Sequence, residues 1–258
     1  MKNKVHVVIP YYLDRQALEK CIDCLGSSTF NNIKLYIRDN SIDNIYFTAA
    51  VNEGLKNGLL DVDVTHFLVI NQDCYLKNNA IEILLSHFSR YSTCGIVCPI
   101  QINELDEVTW GGSLEAFPFG RHLKKPLDQY GDAFSTFWAN GACMLIRRTL
   151  VEEIGLLDKN LRFICSDSDY SYSARSRGWE IHVAPPALAV HSLTSSKVAT
   201  SETVNLIKQQ DLIYFYEKWI SGELFRKLSH EGCDMDFHDI SAWIDTLKNE
   251  LFIAYGNK

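Results

Sequence analysis

From Val5 onward, short apolar runs alternate with stretches whose apolar residues recur every three to four positions. The first pattern suits buried strands and the second suits amphipathic helices, so the chain is expected to form a sheet covered by helices. The spacing predicts a strand from Val5 to Pro10. A helix follows from Asp14, an N-cap residue type, to Gly26, with Leu18, Cys21, Ile22 and Leu25 on one face. Two more strands, KLYIR at 34–38 and HFLVI at 66–70, end on Asp39-Asn40-Ser41 and Asn71-Gln72-Asp73. Polar residues at the C-terminal edge of an open α/β sheet stand where ligands bind.

The pattern continues with a helix over Asn79 to Tyr91 and a strand over Gly95 to Ile102. Trp110 to Ser135 reads as an irregular stretch rich in Gly, Pro and aromatic residues. Next come a buried strand over Ala142 to Ile146, a short helix over Thr149 to Ile154, a helix over Asp167 to Arg177, and a strand over Glu180 to Ala184 closed by Pro185-Pro186. From about Thr200 helical periodicity takes over, through Leu206, Ile213, Phe215, Trp219 and Leu224 and again from Ile240 to Phe252. The expected fold class is therefore α/β, a mixed and mostly parallel sheet flanked by helices. Residues 1–199 would form this core, and 200–258 an amphipathic helical extension. That extension has three readings: packing on the core, dimerisation, or lying on a membrane surface. Its mixed charges, without a Lys/Arg bias, argue against the last.

With 25 Lys+Arg against 32 Asp+Glu, the net charge of −7 argues against broad nucleic-acid binding, which relies on cations displacing phosphate counterions. No apolar run approaches the roughly 18 residues of a membrane span. The N-terminus runs directly into strand-like sequence, so a cytoplasmic protein is expected, with a peripheral position at the inner face of the membrane still open. The eight cysteines (Cys21, Cys24, Cys74, Cys94, Cys98, Cys143, Cys165, Cys233) mostly have apolar neighbours and read as free buried thiols of a reducing compartment. Cys21 and Cys24 form a C-x-x-C, but it lies mid-helix without a second pair or a histidine cluster nearby.

Three acidic positions stand where an element begins or ends: Asp39, Asp73, and the pair Asp167 and Asp169. Each alone suits a turn or a cap. Asp73 follows Asn71 in N-x-D, which sets two oxygen-bearing side chains on one side of an extended segment. A hard cation on a diphosphate would take such a carboxylate. Asp167 and Asp169 fall in the first turn of a helix, where the dipole stabilises a carboxylate by about 0.3–1 kcal/mol and keeps it ionised. An ionised, positioned Asp is also what a general base for a sugar hydroxyl must be. His191, at the end of an apolar segment, suits a structural role, or a ligand role beside an oxygen-ligand cation site.

Six segments in order resemble one family. VVIPYYLDRQALEKCIDCL is similar to its opening strand and helix, LYIRDNSIDN to its V-D-N-x-S-x-D segment, and NIYFTAAVNEGL to N-x-G-F-x-x-x-x-N-x-G. HFLVINQDCYL resembles its L-L-N-P-D-V form of the D-x-D motif. WANGACMLIRRTLVEEIGLLD resembles the acceptor-side strand, and ICSDSDYSYSARSRGWEIHVAP the F-x-E-D-x-D-L-x-x-R-x-x-x-G-Y segment. Over about residues 5–197 the chain resembles the inverting nucleotide-sugar glycosyltransferases of glycosyltransferase family 2, with the GT-A fold, and in particular the rhamnosyltransferase-like branch. Four positions depart from the pattern. Ser166 stands where the family has Glu, Asn71 replaces the first Asp of D-x-D, Tyr46 stands in place of Gly, and Leu13 in place of Asn.

The resemblance implies a nucleotide-sugar half over about 1–100 and an acceptor half over about 101–199. Asp39 would contact a pyrimidine base, with Pro10, Tyr12, Asn52 and Asn71 also on the nucleotide. Asp73 and His191 would hold a divalent metal, Mn2+ or Mg2+, and Asp167 would be the catalytic base. Trp110, Trp138 and Asp169 would lie on the acceptor side. The implied partners are a UDP- or dTDP-sugar donor and a glycan or lipid-linked glycan acceptor, as in polysaccharide biosynthesis, with a homodimer through the C-terminal helices also open. The aromatic loop from Trp110 to Ser135 reads either as an acceptor lid or as an ordinary solvated loop, and its Arg121, Lys124 and Lys125 could meet an anionic acceptor. Two rivals remain: a catalytically silent nucleotide-sugar-binding protein, which Ser166 and Asn71 favour, and a nucleotidyltransferase, whose Gly-rich basic loop is missing at Pro10 to Leu13.

Overall fold

The computed structural model describes residues 2–113, 122–191, 201–220 and 237–255. Strand β1 (Val5–Tyr11) is buried at its first five positions and lies between β2 (Ile33–Asp39) and β3 (His66–Ile70), parallel to both. Helix α1 (Arg15–Gly26) starts where expected, with the Asp14 carboxylate accepting from the Ala17 N–H at 3.0 Å. Helix α2 (Tyr46–Leu59) has no counterpart in the periodicity reading. It packs on β1 through Gly54 and Gly58, one turn apart: a Cβ on Gly54 would sit 2.3 Å from Val8 Cγ1, and one on Gly58 2.5 Å from His6 Cδ2.

After β3 the chain turns through Asn71-Gln72-Asp73 into a short strand β4 (Cys74–Leu76), then forms α3 (Ala80–Arg90), β5 (Cys94–Ile102) and β6 (Val108–Trp110). A 3-10 turn (Leu127–Gln129) and β7 (Phe134–Ser135) lead to β8 (Cys143–Arg147), α4 (Arg148–Ile154), α5 (Ser166–Arg175) and β9 (Glu180–His191). The sheet runs β2-β1-β3-β8-β5-β9-β4, with β6 and β7 pairing at its side. Five of the seven strands on that path point the same way, and only β8 and β4 oppose them. The expected mixed, mostly parallel sheet is therefore the fold. Its two faces bury separate apolar clusters, one under α1 and α3 and one under α2, α4 and α5. Each fully buried Val, Leu or Ile there contributes about 1.5–3 kcal/mol.

Two expectations are corrected. The stretch from Trp110 to Ser135 is not wholly irregular, since it includes the end of β6, the 3-10 turn and β7; residues 114–121, with Arg121, lie outside the described residues. The last core strand does not stop at Pro185-Pro186. It runs on to His191, and the register slips so that Ala184 pairs with Pro99 and Leu188 with Ile100. The prolines, which have no N–H to give the ladder, occupy that slip.

Among the described residues, the C-terminal extension includes α6 (Glu202–Phe215), one π turn (Tyr216–Ile220) and α7 (Phe237–Tyr255). Leu212, Phe215, Trp219, Ile220, Ile244 and Leu247 pack together with Leu161, Cys165 and Tyr172 of the core. No described helix is long and apolar enough to cross a membrane.

Candidate active site

The first turn of α5 carries the most constrained carboxylate. Cys165, just before it, holds φ +63°, the left-handed region that an L side chain enters at a cost of roughly 1–2 kcal/mol. This bend sets Asp167 beside the strand-entry loop before β8. There Oδ2 accepts from the Gly141 N–H at 2.8 Å and Oδ1 from the Ser168 N–H at 2.8 Å. A Cβ on Gly141 would stand 3.1 Å from Asp167 Oδ2, so the close approach depends on glycine. Burial raises the pKa of Asp167, and the N–H donors only partly oppose that shift. Desolvation thus works against the ionising effect expected at a helix N-terminus. The carboxylate opens on a cavity of about 340 Å³, which Asn71, Trp138 and His191 also line, with Phe47, Phe163, Ile164 and Ser166 around them.

The pairing of β4 with β9 builds the second part of the site. Cys74 is the register partner of His191, which places the preceding Asp73 against the histidine: His191 Nε2 is 3.8 Å from Asp73 Oδ1. The other ring nitrogen, Nδ1, faces Gln101 Oε1 at 2.9 Å, so it carries the proton and leaves the Nε2 lone pair toward Asp73. Burial lowers the His191 pKa and keeps the ring neutral against the pull of Asp73. A neutral imidazole and a carboxylate converging in this way, with the far ring nitrogen anchored, fit a divalent metal ion.

Of the other nucleotide-side candidates, Pro10, Tyr12 and Asp39 stand along the sheet edge outside the cavity lining, whereas Asn71 lines it. Tyr12 is tied to the β3 turn by a pair of bonds, its N–H donating to Gln72 Oε1 at 2.6 Å and its carbonyl accepting from Gln72 Nε2 at 3.1 Å. Pro10 pairs with Arg38, and Tyr11 with Asp39. Asp39 is exposed, and the Ser41 N–H at 2.8 Å holds its pKa below the usual carboxylate value. Asn71 extends β3, its N–H bonded to the Ala142 carbonyl at 2.9 Å. Asn52 stands apart: its amide donates to the Leu157 carbonyl at 2.9 Å and accepts from the Leu157 N–H at 3.0 Å, which fixes the loop after α4.

Of the acceptor-side candidates, only Trp138 lines the cavity. Trp110 is wholly buried beneath it, with ring centroids 6.4 Å apart, because β6 pairs Trp110 with Gln101 and turns it into the core. Asp169 faces the C-terminal extension instead. Its Oδ1 accepts from Trp219 Nε1 at 2.7 Å and meets Lys218 Nζ at 2.7 Å, and Lys218 also reaches Asp158 at 2.9 Å.

Four residues that shape the site had not been singled out in the sequence. Gln101 fixes the His191 tautomer, Gln72 joins β1 to the turn that carries Asp73, and Phe47 forms cavity wall. Asp211 of α6, fully buried, accepts from the backbone N–H groups of Arg162, Phe163 and Ile164 at 3.0, 2.7 and 2.9 Å, and so shapes the loop leading to Asp167. Gln101 in GIVCPIQI and Asp211 among Ile207, Leu212 and Phe215 each carried a signal, a polar residue on an apolar face.

Comparison with solved structures gives the same fold. The chain is similar to the protein in "Crystal structure of GalNAc-T7 with UDP, GalNAc and Mn2+" with a TM-score of 0.64 and 14% identity, covering 98% of this chain. It spans 56% of that longer chain. The likeness establishes the GT-A architecture. No curated protein matches the sequence. The model for "Glycosyltransferase like family 2" matches residues 39–210, about two thirds of the sequence, and the chain belongs to that family of glycosyltransferases.

Proposed function

We propose that the protein is an inverting glycosyltransferase that moves a sugar from a pyrimidine nucleotide diphosphate, UDP- or dTDP-linked, to a hydroxyl of a glycan or lipid-linked glycan. The observation that carries this reading is the shared cavity: the Asp167 carboxylate, the His191 ring beside Asp73, and the Trp138 indole all meet there. An acceptor hydroxyl hydrogen-bonded to Asp167 would give up its proton as its oxygen attacks the anomeric carbon from the face opposite the leaving diphosphate. The raised pKa makes Asp167 a better base than an ordinary aspartate, and the Gly141 and Ser168 N–H groups fix its orientation. Oδ2 keeps a second lone pair for the substrate, while Oδ1 also accepts from the Ser168 hydroxyl at 3.4 Å. Trp138 offers an aromatic wall for a sugar face, while Asp39 and Tyr12 lie along the strand edge where the nucleotide would extend.

Asp73 and His191 would hold the divalent cation, Mn2+ or Mg2+, which when bound neutralises charge on the departing diphosphate. The Gln101 bond to His191 Nδ1 supports that assignment because it leaves Nε2 as a ligand lone pair. UDP and Mn2+ accompany the structural neighbour, which supports the same donor class here. Within this scheme residues from about 1 to 100, joined by His191 at the metal, serve the donor, about 101–199 otherwise serve the acceptor, and the extension from 200 buttresses the loop leading to the base.

A panel of pyrimidine and purine nucleotide sugars, each with and without Mn2+, tests this by thermal stabilisation, followed by NMR of the product linkage. Metal-enhanced stabilisation by one UDP- or dTDP-sugar, and a product of inverted anomeric configuration, is the expected outcome. A retained configuration, release of pyrophosphate, or no response to any pyrimidine donor would overturn it.

A further inference from the structure

At the sheet edge away from the cavity, three buried side chains from three elements converge. His87 lies in the last turn of α3, Cys94 opens β5, and His182 is near the start of β9; their ligand-type atoms lie within 4.8 Å of one another. This is the opposite end of β9 from His191. His87 Nε2 and His182 Nδ1 face each other at 2.8 Å. The other nitrogen of His182, Nε2, is 3.2 Å from the Glu180 carboxylate, which in turn accepts from the Thr93 hydroxyl. Tyr91 fixes both rings, stacked on His87 at 4.4 Å and edge-on to His182 at 5.1 Å.

This order of contacts settles the protons. His182 gives its Nε2–H to Glu180 and turns the Nδ1 lone pair inward, and His87 fills that lone pair with its Nε2–H. Burial keeps both rings neutral, His87 having its pKa pushed down to about 4. A carboxylate behind a histidine whose other nitrogen faces a donor cluster is the outer-shell arrangement of metal centres, where it sets the tautomer and strengthens the ligand. Nothing in the glycosyl-transfer site uses these residues.

We propose that His87, Cys94 and His182 form a second metal centre, distinct from Asp73 and His191, that takes a zinc-class divalent cation. Two imidazoles and a thiolate select zinc over the hard Mg2+ or Mn2+ that an oxygen-bearing site prefers. The cation enters between Nε2 of His87, Nδ1 of His182 and Sγ of Cys94 with a water as its fourth ligand, the Cys94 thiol releases its proton to solvent, and the His87 ring proton moves from Nε2 to Nδ1. The centre would fasten α3 to the first residues of β5 and β9, a structural staple rather than a reacting group.

Cobalt(II) is the probe, added to the chelator-treated full chain, with far-ultraviolet circular dichroism as the check on folding. The expected result is one equivalent of cobalt giving tetrahedral visible bands and a thiolate-to-cobalt charge-transfer band in the near ultraviolet, displaced by zinc. Cys94→Ser should lose the charge-transfer band. Glu180→Gln, at a half-exposed position that the fold tolerates, should weaken cobalt binding by roughly tenfold or more. Asp73→Ala should leave the thiolate-to-cobalt charge-transfer band unchanged. No charge-transfer band in the parent protein, the same band in Cys94→Ser, or its loss in Asp73→Ala would overturn the proposal.

Discussion

Asp211→Asn probes whether the C-terminal extension shapes the active site from outside it. The parent carboxylate accepts three backbone N–H bonds, from Arg162, Phe163 and Ile164. An amide has one oxygen, so the best rotamer keeps the Phe163 and Ile164 bonds and turns its NH2 toward the Arg162 N–H, donor against donor. Losing one charge-assisted bond costs about 1.5–3 kcal/mol, and the two that remain weaken to neutral bonds. Against this, the neutral amide escapes the burial penalty that raises the Asp211 pKa. The net is about 2–3 kcal/mol, read as a lower urea midpoint at an unchanged m-value. Phe163 and Ile164 line the cavity just before Asp167, so the displaced loop should also lower kcat for sugar transfer by roughly 10- to 100-fold, with donor KM little changed. A variant with parental stability and parental kcat would refute the clamp.

Leu13 and Tyr46 hold φ +56° and +64°, and Leu13 is 60% exposed; Leu13→Asn should therefore raise stability by up to about 1 kcal/mol, and a lower urea midpoint would contradict the strain argument. His66 is buried, with its pKa pushed down to about 4, so the unfolded chain binds its proton first as pH falls. Its contribution is fully present above about 6.5 and is lost between 6.5 and 4, at about 1.4 kcal/mol per pH unit. In His66→Gln the stability loss from pH 7 to pH 5 should be shallower by about one proton, whereas equal slopes would show that His66 does not titrate as described. Gly141→Ala would set a methyl 3.1 Å from Asp167 Oδ2 and 3.2 Å from Phe47 Cζ. Transfer should drop on the order of tenfold for a loss of only about 1 kcal/mol in stability, and an unchanged rate would separate Gly141 from the chemistry.

Legibility in the sequence followed the physics of each feature. Strand β1, helix α1 and the polar ends of β2 and β3 were readable because burial periodicity and the Asp14 cap are local signals. Helix α2 was not, since its packing on β1 depends on two glycines, and glycines carry no hydrophobic period. The prolines of β9 look like a terminus in one dimension; only a register slip against β5 lets the strand pass them. Within the site, motif likeness brought Asn71, Trp138, Asp167 and His191 to one cavity. Motif likeness could not tell that Asn52 is spent on Leu157, or that Asp169 turns to Trp219 and Lys218, because both partners are distant in sequence. The departures at Leu13 and Tyr46 also became intelligible only in three dimensions: both keep the left-handed backbone that Asn or Gly would adopt freely, so the local path survives at a cost in strain.

The most direct test of the account is Asp167→Asn, assayed for sugar transfer and for metal-dependent donor binding side by side. The amide can still accept from Gly141 or Ser168 but cannot take a proton, so transfer should fall by roughly 10²- to 10⁴-fold while donor affinity stays within a factor of a few. In the parent enzyme, the acid limb of the rate profile should lie above the pH at which an ordinary aspartate titrates, because burial raises Asp167. Near-parental transfer by Asp167→Asn would contradict the assignment of the base and, with it, the proposed mechanism.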